Sequence, residues 1–170
     1  MKLTPTFTSG KMKLMFEIMD MIGDKLVKVI ADATEISNDI EMHEYLARLT
    51  TDNIANVAFG LDSSSLENPD SSFRKHGKEI LDFNGLEYLK FFFTGSFPDF
   101  SRKIHLTANK RSVIDFFYNT FKENMERRER NNIERKDFLQ ILLDLKKQKI
   151  LTEAEMAAES FIFFIGGKFE

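Results

Sequence analysis

Apolar residues recur three and four positions apart along most of this chain, and that spacing constrains it to fold as helices. Met12, Met15, Met19, Ile22, Leu26 and Ile30 form one stripe, with Thr8 or Ser9 placed to cap its start. Met42, Leu46, Leu49, Asn53 and Val57 form a second, ended by Gly60 before the turn-like stretch Asp62 to Asp70. Phe73, Gly77, Ile80 and Leu81 mark a shorter helix. Val113, Ile114, Phe117, Phe121 and Met125 restore the period over Asn109 to about Arg130, and Phe138, Ile141, Leu142 and Leu145 carry another stripe. The last helix begins at Thr152 and Glu155, the T-x-x-E spacing of a capping box. From Ala157 to Ile165 only Glu159 and Ser160 are strongly polar, a pattern expected of a helix buried on every side. No period-two segment is long enough for a strand, so the expected class is all-α.

Between the stripes, Leu86 to Phe100 (LEYLKFFFTGSFPDF) is interrupted by Gly95 and Pro98, so at most two short helical pieces fit. Those two residues are expected to keep the segment irregular and able to move. Three prolines in 170 residues agree with long helices, and 42% apolar with 30% charged residues is the balance of a globular chain. A formal charge of -3 gives no reason to bind nucleic acid, whose affinity rests on neutralising phosphates. Without cysteine the chain can form no disulfide, zinc-thiolate site or thiol nucleophile. No run approaches the ~20 apolar residues needed to span a bilayer. Leu3 to Lys13 is too polar for the apolar core of a signal peptide.

Few residues invite a chemical reading. His43, His76 and His105 are too far apart to form a helical metal pair and read as surface or capping residues. Gly10-Lys11 and Gly77-Lys78 lack the earlier glycine of a phosphate loop. Arg127, Arg128, Arg130, Arg135 and Lys136 alternate with Glu126, Glu129 and Glu134, which reads as a solvated helix end rather than a phosphate track. Phe91, Phe92, Phe93, Phe97 and Phe100 are either core aromatics under a loop or an apolar patch flanked by Lys90, Arg102 and Lys103 and suited to a membrane interface. Gly166-Gly167 is either a helix C-cap or a place where a ligand approaches the backbone closely.

Several segments, in order, resemble the cytochrome P450 family, insect microsomal forms especially. LTPTFTSGKMK (Leu3 to Lys13) resembles the stretch leaving that family's haem-contacting helix. LTTDNIANVAFGLDSSSL (Leu49 to Leu66) is similar to its T-D-x-I-x-x-x-A-F-G helix ending. FFFTGSFPDFSRKI (Phe91 to Ile104) resembles its mobile lid, and KDFLQILLDLKK with LTEAEMAAESFIFFIGG resembles the approach to the distal helix over the haem. The resemblance implies that residues 1–170 are a partial domain of a haem-thiolate monooxygenase, one that inserts an oxygen atom from O2 into a hydrophobic substrate. It implies electrons from NADPH-cytochrome P450 reductase and a parent at the endoplasmic reticulum membrane, with no anchor in this chain.

On this resemblance Gly166 and Gly167 match the small pair that opens the oxygen groove, and Ile162 and Ile165 match substrate-facing positions. Phe83 and Ile80 match the end of a helix roofing the pocket, and Phe91, Phe92, Phe93 and Phe97 match a membrane-touching lid. The departures are specific. Gly167 is followed by Lys168, Phe169 and Glu170, so the acid falls one place late and the threonine is missing. There is no Trp, no E-x-x-R motif and no cysteine to ligate the haem iron. The fragment alone is therefore expected to be inactive and to bind no haem through a thiolate. The alternative is a truncated, non-catalytic product, at most a helical module for hydrophobic ligands.

Overall fold

The computed structural model describes residues 9–37, 39–81, 84–107 and 109–166, which form eight helices and no strand among the described residues. They are α1 (Ser9–Ile36), α2 (Met42–Ala58), α3 (Ser72–Leu81), α4 (Gly85–Ser96), α5 (Pro98–Lys103), α6 (Arg111–Asn131), α7 (Phe138–Lys147) and α8 (Glu153–Gly166). Helix α2 sits centrally, packed on α1, α3, α7 and α8, while α6 lies against α3 and α8. Helices α4 and α5 pack mainly on each other.

The all-α expectation holds, but the stripes are redistributed. In α1 Met15, Ile18 and Ile22 are buried while Met12 and Met19 are exposed, because α1 meets its neighbour along only part of the predicted stripe. In α2 the first turns are open at Met42 and Leu46, whereas Thr51 to Ala58 is buried almost all round. Helix α2 packs on four others, and its buried residues fall in its second half. Ser9 already lies inside α1, so it does not cap it, and Thr8 lies outside the described residues.

Local chemistry explains several boundaries. Thr152 and Glu155 form the expected capping box at α8, with Glu155 N–H donating to Thr152 Oγ1 at 3.3 Å and Thr152 N–H to Glu155 Oε2 at 2.8 Å. A second box at α4 pairs Asn84 with Glu87 (3.1 and 2.9 Å), and Pro98 starts α5 where its missing N–H costs nothing. Contrary to expectation, Gly95 does not break α4, which runs regularly to Ser96. After α2, Gly60 adopts φ +65°, a left-handed conformation natural to glycine, and the chain turns away. Buried Asp52 pins that turn: its side-chain oxygens accept from Ser65 N–H at 2.7 Å, from Leu66 N–H at 2.9 Å, and from the Ser63 hydroxyl.

A charged cluster joins α2 to α3. Glu44 accepts from Arg48 Nε at 3.2 Å and from nearly buried Arg74 at 3.0 Å, with Lys78 Nζ at 3.4 Å. Burial pushes the Glu44 carboxyl up, but the hydrogen bonds from Arg74 and Arg48 and the charges of Arg74 and Lys78 outweigh it. The group is lowered from its ordinary 4.5 to about 2. Its folded pKa is depressed, so in this window the unfolded chain binds more protons. The stability from this cluster is therefore fully present above pH about 4.5 and lost as pH falls towards 2. Glu44→Gln is expected to cost about 1–3 kcal/mol at neutral pH and to flatten acid unfolding in that window. An acid titration with the same slope in both proteins would contradict this.

Candidate functional site

Helix α8 has two unlike faces. Met156, Ala157, Ser160 and Phe164 are buried, at the i, i+4 spacing that makes one stripe. Ile162 is 62% exposed, and Gly166, one helical turn further on, is open as well. The expectation of burial on every side is thus corrected: α2, α6 and α7 cover one face, and among the described residues the other is left open and apolar. Ile165 is half-buried between the two, in contact with the core. A Cβ built on Gly166 would meet nothing within 4 Å among the described residues, so they leave the backbone there uncovered.

What holds the closed face is an aromatic core around Phe59. Its ring centroid lies 5.2 Å from Phe73, 5.6 Å from Phe117, 6.4 Å from Phe121 and 6.2 Å from Phe164. Phe164 also meets Phe117 at 4.7 Å and Phe73 at 5.4 Å. Such ring pairs add about 0.5–1.5 kcal/mol each beyond their area.

Polar groups converge on the same turn. The last carbonyls of a helix lack intrahelical donors, and here side chains meet the carbonyl of Ala58, the final residue of α2, and those of the two residues that follow it. Ser160 Oγ donates to Ala58 O at 3.3 Å, Asn124 Nδ2 donates to Phe59 O, and Arg128 Nη2 and Arg135 Nη1 donate to Gly60 O at 3.3 and 3.1 Å. Two cations at a helix C-terminus also match its dipole. Arg128 in turn forms a two-pronged pair with Asp137 (2.8 and 2.5 Å), which caps α7 by accepting from Gln140 N–H at 3.0 Å. Arg128 is 2% exposed, so the reading of this basic run as wholly solvated is wrong for it. Its partner Asp137 lies nine residues on, across a loop, where helical charge spacing does not look. At the other end of α8, Lys146 bridges Glu129 of α6 (3.0 Å) and Glu153 (2.8 Å).

The remaining candidates fall in different places. Ile80 is 2% exposed within the core, away from any open face. Phe83 and Gly167 lie outside the described residues, as do Lys168, Phe169 and Glu170. Phe91, Phe92, Phe93 and Phe97 are all exposed, and α4 has no buried residue. Leu86, Tyr88, Leu89, Phe100 and Ile104 are exposed as well, and Lys90, Arg102 and Lys103 lie in the same stretch of the chain. Among the described residues these aromatics therefore have no core around them. His76 stacks on Phe116 at 4.0 Å and bonds Ser72 O through Nδ1 at 2.8 Å, in keeping with a structural role. Among the described residues no cluster of His, Cys, Asp or Glu could hold a metal ion, and no helix is long and apolar enough to cross a membrane.

A sequence profile for the family described as Cytochrome P450 matches residues 2–168. Cytochrome P450 6A1 of Musca domestica is 40% identical over 173 residues, covering 98% of this chain and 34% of that protein. In Drosophila melanogaster, Probable cytochrome P450 6a21 is 38% identical over 98% of this chain and 35% of its own length. Cytochrome P450 6a9 of the same fly is 37% identical with the same coverage. The chain thus spans about a third of the length of the relatives it matches.

Proposed function

The chain belongs to the cytochrome P450 family, and from that premise we propose that residues 1–170 are the helical middle of a haem-thiolate monooxygenase domain. In the whole enzyme one atom of O2 is inserted into a hydrophobic substrate with electrons from NADPH-cytochrome P450 reductase, at the endoplasmic reticulum membrane. The observation that carries this reading is the open apolar face of α8, with Ile162 exposed and Gly166 clear of neighbours, on a helix whose other face is locked.

These residues fit one wall of a site for an apolar macrocycle. They would not supply a thiolate for its iron, since the chain has no cysteine, and in this reading the thiolate would come from another part of the parent. Haem, when bound, supplies dioxygen activation, favoured by electron density from a thiolate. The chain's own part is to shape and dry the space beside it. Ile162 and Ile165 offer hydrocarbon to a substrate, whose transfer from water drives binding at ~25 cal/mol per Å² buried. Gly166 and Gly167 keep side-chain bulk out of the path to the reacting centre. Phe83 would close the pocket from above, with Ile80 supporting it from the core.

Helix α4 serves a separate task in this reading. Its exposed Phe91, Phe92 and Phe93, with Phe97 just past its end, lie in the membrane interface with Lys90, Arg102 and Lys103 at headgroup level. Burying a Phe side chain is worth about 1.5–3 kcal/mol, so Phe92→Asp should lower partition onto phospholipid vesicles at least ~10-fold. Equal flotation of variant and parent sequence would exclude α4 from that contact.

The site itself is tested in the full-length enzyme carrying this segment. A carbon monoxide difference band of thiolate-ligated haem is expected. Ile162→Glu should retain that band while weakening titration by an apolar ligand at least ~10-fold, because a carboxylate must be desolvated in the pocket. An Ile162→Glu variant with undiminished apolar-ligand affinity would remove Ile162 from the site.

A further inference from the structure

A helix that is apolar nearly all round has little to fix its rotation or its position along its axis, since hydrophobic attraction is non-directional. Two buried contacts remove that freedom in α8. Ser160 bonds Ala58 O at 3.3 Å, a directional link to one carbonyl. One turn on, Phe164 is held between Phe59, Phe73 and Phe117. Ala58 and Phe59 are adjacent, so both links land on the C-terminal turn of α2. That turn is itself fixed from α6, through Asn124 on Phe59 O and Arg128 on Gly60 O. At about 100° per residue, Ile162 and Gly166 point away from Ser160 and Phe164. Whatever seats the buried pair therefore aims the exposed pair.

We propose that Ser160 and Phe164 are positioning residues. They index α8 to the C-terminal turn of α2, and so set the placement of Ile162 and Gly166 against substrate. A single buried polar group fixing the register of an otherwise apolar helix has a parallel in coiled coils, where one buried asparagine does the same. The inference rests on the monooxygenase reading for its consequence and on this structure alone for its cause.

The test uses the full-length holoenzyme with Ser160→Ala, Ser160→Thr and Phe164→Leu. Without the hydroxyl, α8 samples other placements, the binding-competent fraction falls, and the apparent Kd for an apolar ligand rises in proportion. A rise of at most about fivefold is expected for Ser160→Ala, the limit set by loss of one hydrogen bond, together with a broader distribution of oxidation products. The thiolate-haem band and the unfolding midpoint should change little. Ser160→Thr, which keeps the hydroxyl, should restore both Kd and product distribution, whereas Phe164→Leu should alter the product distribution. A merely structural role would move the midpoint and leave product distribution alone. Unaltered Kd and products in both Ser160→Ala and Phe164→Leu would overturn the proposal. If the unsubstituted protein shows no thiolate-haem band, the monooxygenase reading fails instead. Amide exchange then still decides the seating: Ser160→Ala must speed exchange in α8 selectively, and unchanged protection there overturns it.

Discussion

Asp137→Ala is expected to lower the unfolding free energy by about 3–5 kcal/mol, the range for removing one partner of a buried ion pair. Asp137 and Arg128 have almost no side-chain exposure (0% and 1%), and without Asp137 the buried guanidinium loses its charge partner and keeps its contact with Gly60 O. The same substitution removes the α7 N-cap, where Asp137 Oδ1 accepts from Gln140 N–H at 3.0 Å, worth about 1 kcal/mol more. Asp137→Asn separates these two losses, because it keeps the cap acceptor and discards the charge. Replacing both residues with apolar ones of similar volume should recover most of the deficit. Recovery would be incomplete, since Gly60 O would then depend on Arg135 Nη1 alone at 3.1 Å. Chemical denaturation of all four proteins checks this. A cost for Asp137→Ala near that of a surface substitution would mean that the pair is not buried as described.

Gly60→Ala should cost about 3 kcal/mol, from two causes acting at one atom. A left-handed backbone costs an L-residue about 1–2 kcal/mol, and Gly60 has φ +65°. The new Cβ would also lie 2.0 Å from Arg128 Nη2 and 2.7 Å from its Cζ, so the guanidinium must move. The far end of a free arginine would move cheaply, but this one is tied to Asp137 by two bonds. Gly60→Asn distinguishes the causes, because asparagine tolerates the left-handed region yet carries the same Cβ. Near-complete rescue by Asn would show that the clash contributes little. In an Arg128→Ala background, Gly60→Ala should cost markedly less than in the parent sequence, since the two sites share one contact.

These residues also show what was legible in the sequence. Helical spacing located the long elements, and the Thr152–Glu155 box was readable because its partners are three residues apart. The Asn84–Glu87 box carries the same three-residue signal, just ahead of a stretch that Gly95 and Pro98 mark as interrupted. Gly60 was recognisable as a helix end, but not as the residue that leaves room for Arg128. That role depends on a contact between positions 60 and 128, and no local pattern encodes it. Arg128 was misread because charge alternation describes a helix surface only when both faces of that end meet water. Here α7 returns to cover one of them, with Asp137 at its start. The two faces of α8 were hidden for the opposite reason. An almost uniformly apolar run has no polar side to reveal its orientation, and only Ser160 marks which side faces α2. The proposed site rests on resemblance at Ile162, Ile165, Gly166 and Gly167, because hydrocarbon and absent side chains carry no chemical signature of their own.

The most direct measurement is the sequence of the full-length transcript across both ends of this reading frame. The frame is expected to continue upstream into a helix bearing tryptophan and arginine. Downstream it should reach a threonine, an E-x-x-R motif and a cysteine able to hold the haem iron. A mature message that starts at Met1 and stops after Glu170 would contradict it, because no residue of this chain can ligate that iron as a thiolate.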